Sequence, residues 1–228
     1  MQIAILCGGL GTRLKPLTEK VPKTLLEVQG KPFLEHVIER LKNNGILDLV
    51  LCTGYLGEKL QEHFGNGSKF GVNLKYSQEA EPLGTAGALK NAESLLEETF
   101  MVMYGDTYLP IDFREVYDYF KNHNKTSLMV VRKTPEGYSS NVAVSDELIS
   151  KYDKEDITPD MEYMDFGLLI FKKEILKLIP EGKSDLVSAL QELVSKKELL
   201  AFVTEKMFNE FGSLESLERI NQEGFKER

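Results

Sequence analysis

Apolar strand-like runs alternate with amphipathic helical patterns through the first half of this chain, and that alternation narrows the fold more than any other feature. The strand-like runs stand at 2–7, 47–53, 72–77, 100–104 and 126–132, with helical patterns at 32–43, 57–64, 85–97 and 112–123 between them. In the first helical pattern Phe33, Val37, Ile38 and Leu41 recur at core spacing, and Gly45 follows as a stop. Such an order predicts a mostly parallel sheet covered on both faces, with ligands at the carboxyl ends of its strands. The second half reads differently. Short strands at 141–145 and 147–151 and a longer one at 163–171 suggest a small antiparallel insertion over the sheet's rim. Helices at 173–178 and 184–196, a strand at 199–204 and a helix at 213–223 follow. The expected class is therefore α/β, a Rossmann-like, mostly parallel sheet with helices on both faces and a small antiparallel insertion. No internal repeat and no Gly-, Pro- or Ser-rich linker divides the 228 residues, so one domain over 1–228 is the economical reading.

The first strand opens straight into Gly8-Gly9-Leu10-Gly11-Thr12-Arg13-Leu14, with Pro22-Lys23 about ten residues on. Glycines let backbone N–H groups close on an anion, and Arg13 and Lys23 add fixed positive charge. That combination suits a polyphosphate and the charge that develops as a phosphoryl bond breaks. Two common phosphate loops do not match. A P-loop needs Lys and then Ser or Thr after its last glycine, where Thr12-Arg13 follow Gly11 here. A dinucleotide fingerprint wants a further glycine where Leu14 stands and a carboxylate at the end of the next strand, which closes as Leu51-Cys52-Thr53. About 20 residues separate the strand from the helix near Pro32, a length that usually serves function.

Two more constellations carry chemistry. Asp106 ends the apolar run 100–104 after Gly105, and a carboxylate at a strand end is placed to hold Mg²⁺ together with phosphate oxygens. Glu79-Ala80-Glu81-Pro82-Leu83-Gly84-Thr85-Ala86-Gly87 runs from a strand into a helix of small residues. Its backbone can press flat on a planar base, with Gln78 or Glu79 reading the edge; a helix start packed closely on the sheet explains Gly84 and Gly87 equally. The net charge of −8 argues against a nucleic-acid-coating surface, and no apolar run approaches the ~20 residues of a membrane span. The N-terminal apolar run is too short for a signal peptide, so a cytoplasmic location is expected. Cys7 and Cys52 lack metal or redox spacing and read as small buried thiols; His36, His63 and His123 lie on helical patterns with polar neighbours.

Gly8-Gly9-Leu10-Gly11-Thr12-Arg13-Leu14-Lys15-Pro16-Leu17-Thr18 with Pro22-Lys23, then Glu79 and Pro82-Leu83-Gly84-Thr85-Ala86-Gly87, then Gly105-Asp106, closely resemble the sugar-1-phosphate nucleotidyltransferase family. The long Pro-Leu-Gly-Thr-Ala-Gly form is most similar to its mannose-1-phosphate and heptose-1-phosphate guanylyltransferase branches, with UTP- and CTP-dependent relatives close by. The resemblance implies that a sugar 1-phosphate attacks the α-phosphorus of a nucleoside triphosphate and pyrophosphate leaves, with Mg²⁺ as cofactor. It implies catalytic roles for Arg13, Lys23 and Asp106. Leu6, Gly8, Gly9, Gly11, Thr12, Gln78, Glu79, Gly84 and Thr85 would hold the nucleotide. Asn141, Asp153, Lys154 and Asp165 would hold the sugar phosphate. Asp106 and Glu210 would bind the metal. The partners implied are these two substrates, with no nucleic acid and no membrane, and with homo-oligomers left open. No hexapeptide-repeat β-helix domain is expected.

The second half departs from the family pattern in ways that bear on the sugar and the metal. Asp153-Lys154 stands for a Glu-Lys pair, Asn141 for a glycine, and Asp165-Phe166-Gly167 for Asn-x-Gly. Glu210-Phe211-Gly212 stands for Asp-x-Gly, which moves the second metal carboxylate out by one methylene. A regulatory protein that binds a nucleotide-sugar without turnover is the rival these departures feed; retention of Arg13, Lys23, Asp106 and Lys154 argues against it. A cytidylyltransferase for a phosphocholine-like substrate would want an aromatic cage, for which Tyr108, Tyr138 and Tyr163 are the candidates in a chain without Trp.

Overall fold

The computed structural model describes residues 1–226. Along the chain run β1 (Gln2–Leu6), β2 (Glu27–Val28), β3 (Lys31–Pro32), α1 (Phe33–Asn43), β4 (Asp48–Thr53), α2 (Gly57–Phe64) and β5 (Asn73–Gln78). Then come α3 (Gly84–Asn91), β6 (Thr99–Tyr104), β7 (Thr107–Tyr108), α4 (Phe113–Lys121), β8 (Ser127–Lys133), β9 (Val142–Ser145) and β10 (Leu148–Tyr152). The remainder is β11 (Tyr163–Lys172), α5 (Leu186–Ser195), β12 (Leu199–Val203), β13 (Asn209–Glu210) and α6 (Leu214–Glu223). No helix among the described residues is long and apolar enough to cross a membrane.

The main sheet has the order β5-β4-β1-β6-β11-β8-β12-β10-β9. Its first half is parallel, β1 lying between β4 and β6 with Leu6 opposite both Cys52 and Tyr104. Period-two alternation then divides the side chains between two cores. Ile3, Ile5, Leu49, Leu51, Met101 and Met103 face α1, α2 and α4, whereas Ala4, Val50, Cys52, Phe100 and Val102 face α3 and α5. Helices therefore cover both faces, as the α/β class requires. The antiparallel strands extend this same sheet instead of standing over its rim. β11 enters between β6 and β8, and β10 and β9 continue it past β12 to the far edge. The helical pattern at 85–97 resolves into α3 and a separate 3-10 turn at Glu93–Leu95, and the one at 173–178 is a 3-10 turn throughout.

Two short pairings shape the rim at the carboxyl ends. β7 and β13 pair antiparallel, with Glu210 opposite Thr107, and Phe211 N–H donates to the Asp106 carbonyl at 2.7 Å. Phe211, fully buried, stacks on Phe33 at 4.8 Å, while Phe225 stacks on Tyr108 at 4.2 Å. The Asn209 side chain exchanges two hydrogen bonds with the Lys226 backbone. Aromatic packing on one side and the carboxamide clasp on the other hold the Asp106 turn against β13. Behind it α6 starts on a capping box, in which Ser213 Oγ accepts from Ser216 N–H and Ser216 Oγ accepts from Ser213 N–H. Ser213→Ala is expected to destabilise the protein by about 0.5–2 kcal/mol, seen as a lower urea midpoint at unchanged slope. A midpoint equal to that of the parent would show that the box adds nothing.

Candidate active site

The carboxyl ends of β1, β4, β5 and β6 open onto a cavity of about 420 Å³. The glycine loop forms one wall. Gly11 has φ +61°, and a Cβ there would meet the Thr18 methyl at 2.9 Å and Lys23 at 3.2 Å. Thr18 Oγ1 donates to the Gly11 carbonyl at 2.9 Å, which ties the loop down at its far end. A Cβ on Gly9 would meet nothing within 4 Å, so the loop's middle stands clear for a ligand. Leu6, Gly8 and Thr12 line the same cavity.

Two ion pairs involve residues of this cavity, one within it and one reaching into the neighbouring cavity. Lys23 Nζ lies 2.6 Å from Asp106 Oδ2, the lysine mostly buried and the carboxylate about one-third exposed. Gly105 sets this carboxylate in place. Its N–H donates to the Leu6 carbonyl, and a Cβ there would press on Cys7 Sγ at 2.6 Å. The second pair, Arg13 Nη2 to Glu210 Oε1 at 3.2 Å, is largely exposed. Arg13 and Gly212 form the partition between the main cavity and a neighbouring one of about 220 Å³, and Glu210 lines only the neighbour. The residues at the mouth fit Mg²⁺ in its usual habit of one or two carboxylates plus phosphate oxygens and water. Asp106 supplies the carboxylate in the main cavity. Among the described residues no group of three or more His, Cys, Asp or Glu is gathered into a metal cage.

At the other end, Glu79 is wedged between backbones. Its Oε2 accepts from Leu83 N–H at 3.1 Å, and a Cβ on either Gly8 or Gly54 would collide with its Oε1. Burial pushes the Glu79 carboxyl above the usual range, the Leu83 hydrogen bond pulling the other way. Gln78 does not line the cavity; its side-chain amide lies near Gly57. Gly84 and Gly87 press against the 182–185 loop, where Ser184 O accepts from Ala86 and Gly87 N–H, and Thr85 Oγ1 accepts from Leu186 N–H at 2.9 Å. Close packing and cavity lining thus coexist in this segment, because Gly84 and Thr85 also line the cavity.

The four candidates for the sugar phosphate gather beside the cavity, not in it. Asn141 Oδ1 accepts from Asp165 N–H at 2.9 Å, and Asp153 N–H donates to the Asn141 carbonyl at 3.1 Å. The Asp153 carboxylate accepts from Glu155 and Asp156 N–H and from Gln191 Nε2. Those backbone bonds hold its carboxyl below the ordinary range. Asp165 accepts from Gly167 N–H at 2.8 Å and from Tyr152 OH, and burial pushes its carboxyl upward. Lys154 Nζ stands 5.9 Å from the Tyr104 ring centre and 6.0 Å from that of Tyr152. Tyr104 lines the cavity, and its ring connects the two regions.

Sequence reasoning missed several cavity residues. Tyr104 and Thr24 are direct neighbours of Gly105-Asp106 and of Lys23, so adjacency was their only signal. Asp185, whose Oδ1 sits 3.4 Å from Thr85 N and Oγ1, is brought in by α5 from a hundred residues away. Cys7 and Cys52 also line the cavity, but burial pushes the Cys52 thiol to about 12 and raises Cys7 as well, so neither offers a thiolate.

A glycine loop, two fixed cations and a carboxylate at adjoining strand ends make this an α/β protein built around a phosphate-handling cleft. The chain belongs to the nucleotidyl transferase family, whose model matches residues 3–227. It is 37% identical over 187 residues to a mannose-1-phosphate guanyltransferase of Saccharomyces cerevisiae, covering 78% of this chain and 52% of that protein. It is 42% identical over 116 residues to the D-glycero-alpha-D-manno-heptose 1-phosphate guanylyltransferase of Campylobacter jejuni, covering 51% of this chain and 52% of the relative. The chain spans about half the length of these curated relatives. Among solved structures, HddC from Yersinia pseudotuberculosis complexed with GMP-PN superposes with a TM-score of 0.79 at 26% identity, covering 97% of this chain and 98% of that one. A putative glucose-1-phosphate thymidylyltransferase from Bacillus anthracis shares the fold with a TM-score of 0.86 at 23% identity, over 98% of this chain and 95% of that one.

Proposed function

We propose that this chain is a guanylyltransferase that joins GTP to a mannose- or heptose-type sugar 1-phosphate, giving a GDP-sugar and pyrophosphate. The observation that carries the reading is the Lys23–Asp106 pair at 2.6 Å, set at the mouth of a glycine-walled cavity. A phosphate oxygen of the sugar 1-phosphate attacks the α-phosphorus in line. The bond from that phosphorus to the α,β-bridging oxygen breaks, and pyrophosphate leaves with the electron pair. The loop N–H groups of residues 8–11 cradle the triphosphate. Lys23 balances the charge gathering on the α-phosphate, and Arg13 does the same for the departing pyrophosphate. Asp106, with Glu210 as the second proposed carboxylate, would hold Mg²⁺, which would supply positive charge against the phosphate oxygens. Asn141, Asp153, Lys154 and Asp165 form the sugar-phosphate side, reached past Tyr104.

The test is a matrix of nucleoside triphosphates against sugar 1-phosphates with Mg²⁺, read by pyrophosphate release. Turnover is expected with GTP and a mannose or heptose 1-phosphate. Nucleotide-sugar binding without turnover for any pair would favour a sensor instead.

Glu79 is the proposed reader of the base. A carboxylate accepts and does not donate, so it suits guanine, whose N1–H and N2 amino group present two adjacent donors. Uracil offers one donor flanked by two carbonyl oxygens, which a carboxylate repels. Glu79→Gln is expected to lower the preference for GTP over UTP by about tenfold to hundredfold, the value of a hydrogen bond to a charged group. An unchanged ratio of kcat/KM for the two nucleotides would remove Glu79 from base recognition.

A further inference from the structure

Thr24 is 4% exposed, lines the main cavity, and its Oγ1 has no hydrogen-bond partner. Among the described residues, Thr126, Arg132 and Ser184 also carry a buried side-chain atom without a partner, and none of the three lines this cavity. An orphaned buried hydroxyl gives up its hydration for nothing, and valine would fill the same space without that loss. The surroundings say what the hydroxyl is for. Thr24 sits in the tight turn Lys23–Leu25, directly after the lysine that meets Asp106. Its methyl Cγ2 lies 3.4 Å from where a Cβ on Gly105 would stand, so the side chain packs behind the turn that presents Asp106. Of the two other staggered positions about χ1, the one now held by hydrogen would carry the O–H clear of the Gly105 turn, on a side chain that lines the cavity.

We propose that Thr24 is a catalytic hydrogen-bond donor, its hydroxyl turning to a non-bridging oxygen of the nucleotide's α-phosphate beside Lys23. The hydroxyl keeps its proton throughout. It donates to an oxygen whose negative charge grows as the α-phosphorus passes between the attacking and departing oxygens, and so acts most strongly in the transition state. The identity of the anion rests on the guanylyltransferase reading above.

Two full-chain variants test this, Thr24→Val and Thr24→Ser, assayed with GTP, mannose 1-phosphate and Mg²⁺. Urea unfolding and phosphorus NMR of a bound non-hydrolysable GTP analogue accompany the kinetics. Thr24→Val is expected to lose about tenfold to hundredfold in kcat, less than a charged donor is worth, with KM little changed and the urea midpoint equal or higher. Thr24→Ser is expected to restore most of the rate. The α-phosphorus resonance of the bound analogue is expected to move in Thr24→Val while the β and γ resonances stay. Wild-type kcat in Thr24→Val, or a serine variant as slow as the valine one, would overturn the proposal, since the first makes the hydroxyl idle and the second makes the effect one of packing. If the parent protein turned over no substrate pair, the guanylyltransferase reading would fail and the NMR comparison alone would decide Thr24: a selective α shift supports it, and no shift, or no binding of the analogue, sinks it.

Discussion

Asp106→Asn is expected to lower kcat on the order of 10³-fold while leaving the fold intact. The size follows from removing a full negative charge beside Lys23, where the proposed metal and phosphate would meet, a loss at or beyond that of a single charge-stabilising donor. The fold survives because the side chain projects from the end of β6 and is about one-third exposed. The backbone bond from Phe211 N–H to the Asp106 carbonyl does not depend on the carboxylate. Asparagine keeps the shape and still accepts a hydrogen bond from Lys23, so only charge is tested. Circular dichroism and urea unfolding should match the parent while pyrophosphate release collapses. Turnover near that of the parent would remove the proposed metal carboxylate.

Lys23→Ala is expected to cost on the order of 10²–10³ in rate. The lysine side chain is mostly buried against Asp106, and among the described residues Arg13 is the other cation lining the cavity. Arg13 is held 3.2 Å from Glu210. The loss should appear equally in the forward reaction and in pyrophosphorolysis, because both pass through one transition state. Lys23→Arg should recover only part of the rate, since a planar guanidinium cannot reproduce a compact ammonium in a tight turn. A deficit confined to one direction would show that Lys23 acts on substrate entry or product exit.

Elements with local signals are legible in the sequence. α1 begins at Phe33 and ends two residues before Gly45, as the spacing of Phe33, Val37, Ile38 and Leu41 predicts. β4, β6 and β8 fall on the apolar runs that announce them. What the sequence hides is non-local. The two-residue strands β7 and β13 have no periodicity of their own and exist because residues a hundred positions apart meet. The place of β9 and β10 at the sheet's far edge is likewise decided by pairing partners. The candidate site divides the same way. Its glycine loop, Lys23, Asp106 and Glu79 share one cavity, while Asn141, Asp153 and Asp165 form a hydrogen-bonded group beside it, with Lys154 over the Tyr104 and Tyr152 rings. Thr24 and Asp185 escape because a lone Thr and a lone Asp before a helix carry no chemical signature until neighbours are known.

Re-engineering the nucleotide preference runs into the contact of Gly84 and Gly87 with the 182–185 loop. A Cβ on Gly84 would strike Ser184 O at 2.5 Å, and one on Gly87 would strike the Gly182 carbonyl. Gly84 also has φ +73°, where an added side chain is strained whatever the room. Reshaping from that side would displace the loop, and with it Asp185 and the start of α5. Designs that enlarge or shrink the proposed base end must therefore work from Leu6, Glu79 and Pro82, which line the cavity from outside the Gly84–Gly87 contact.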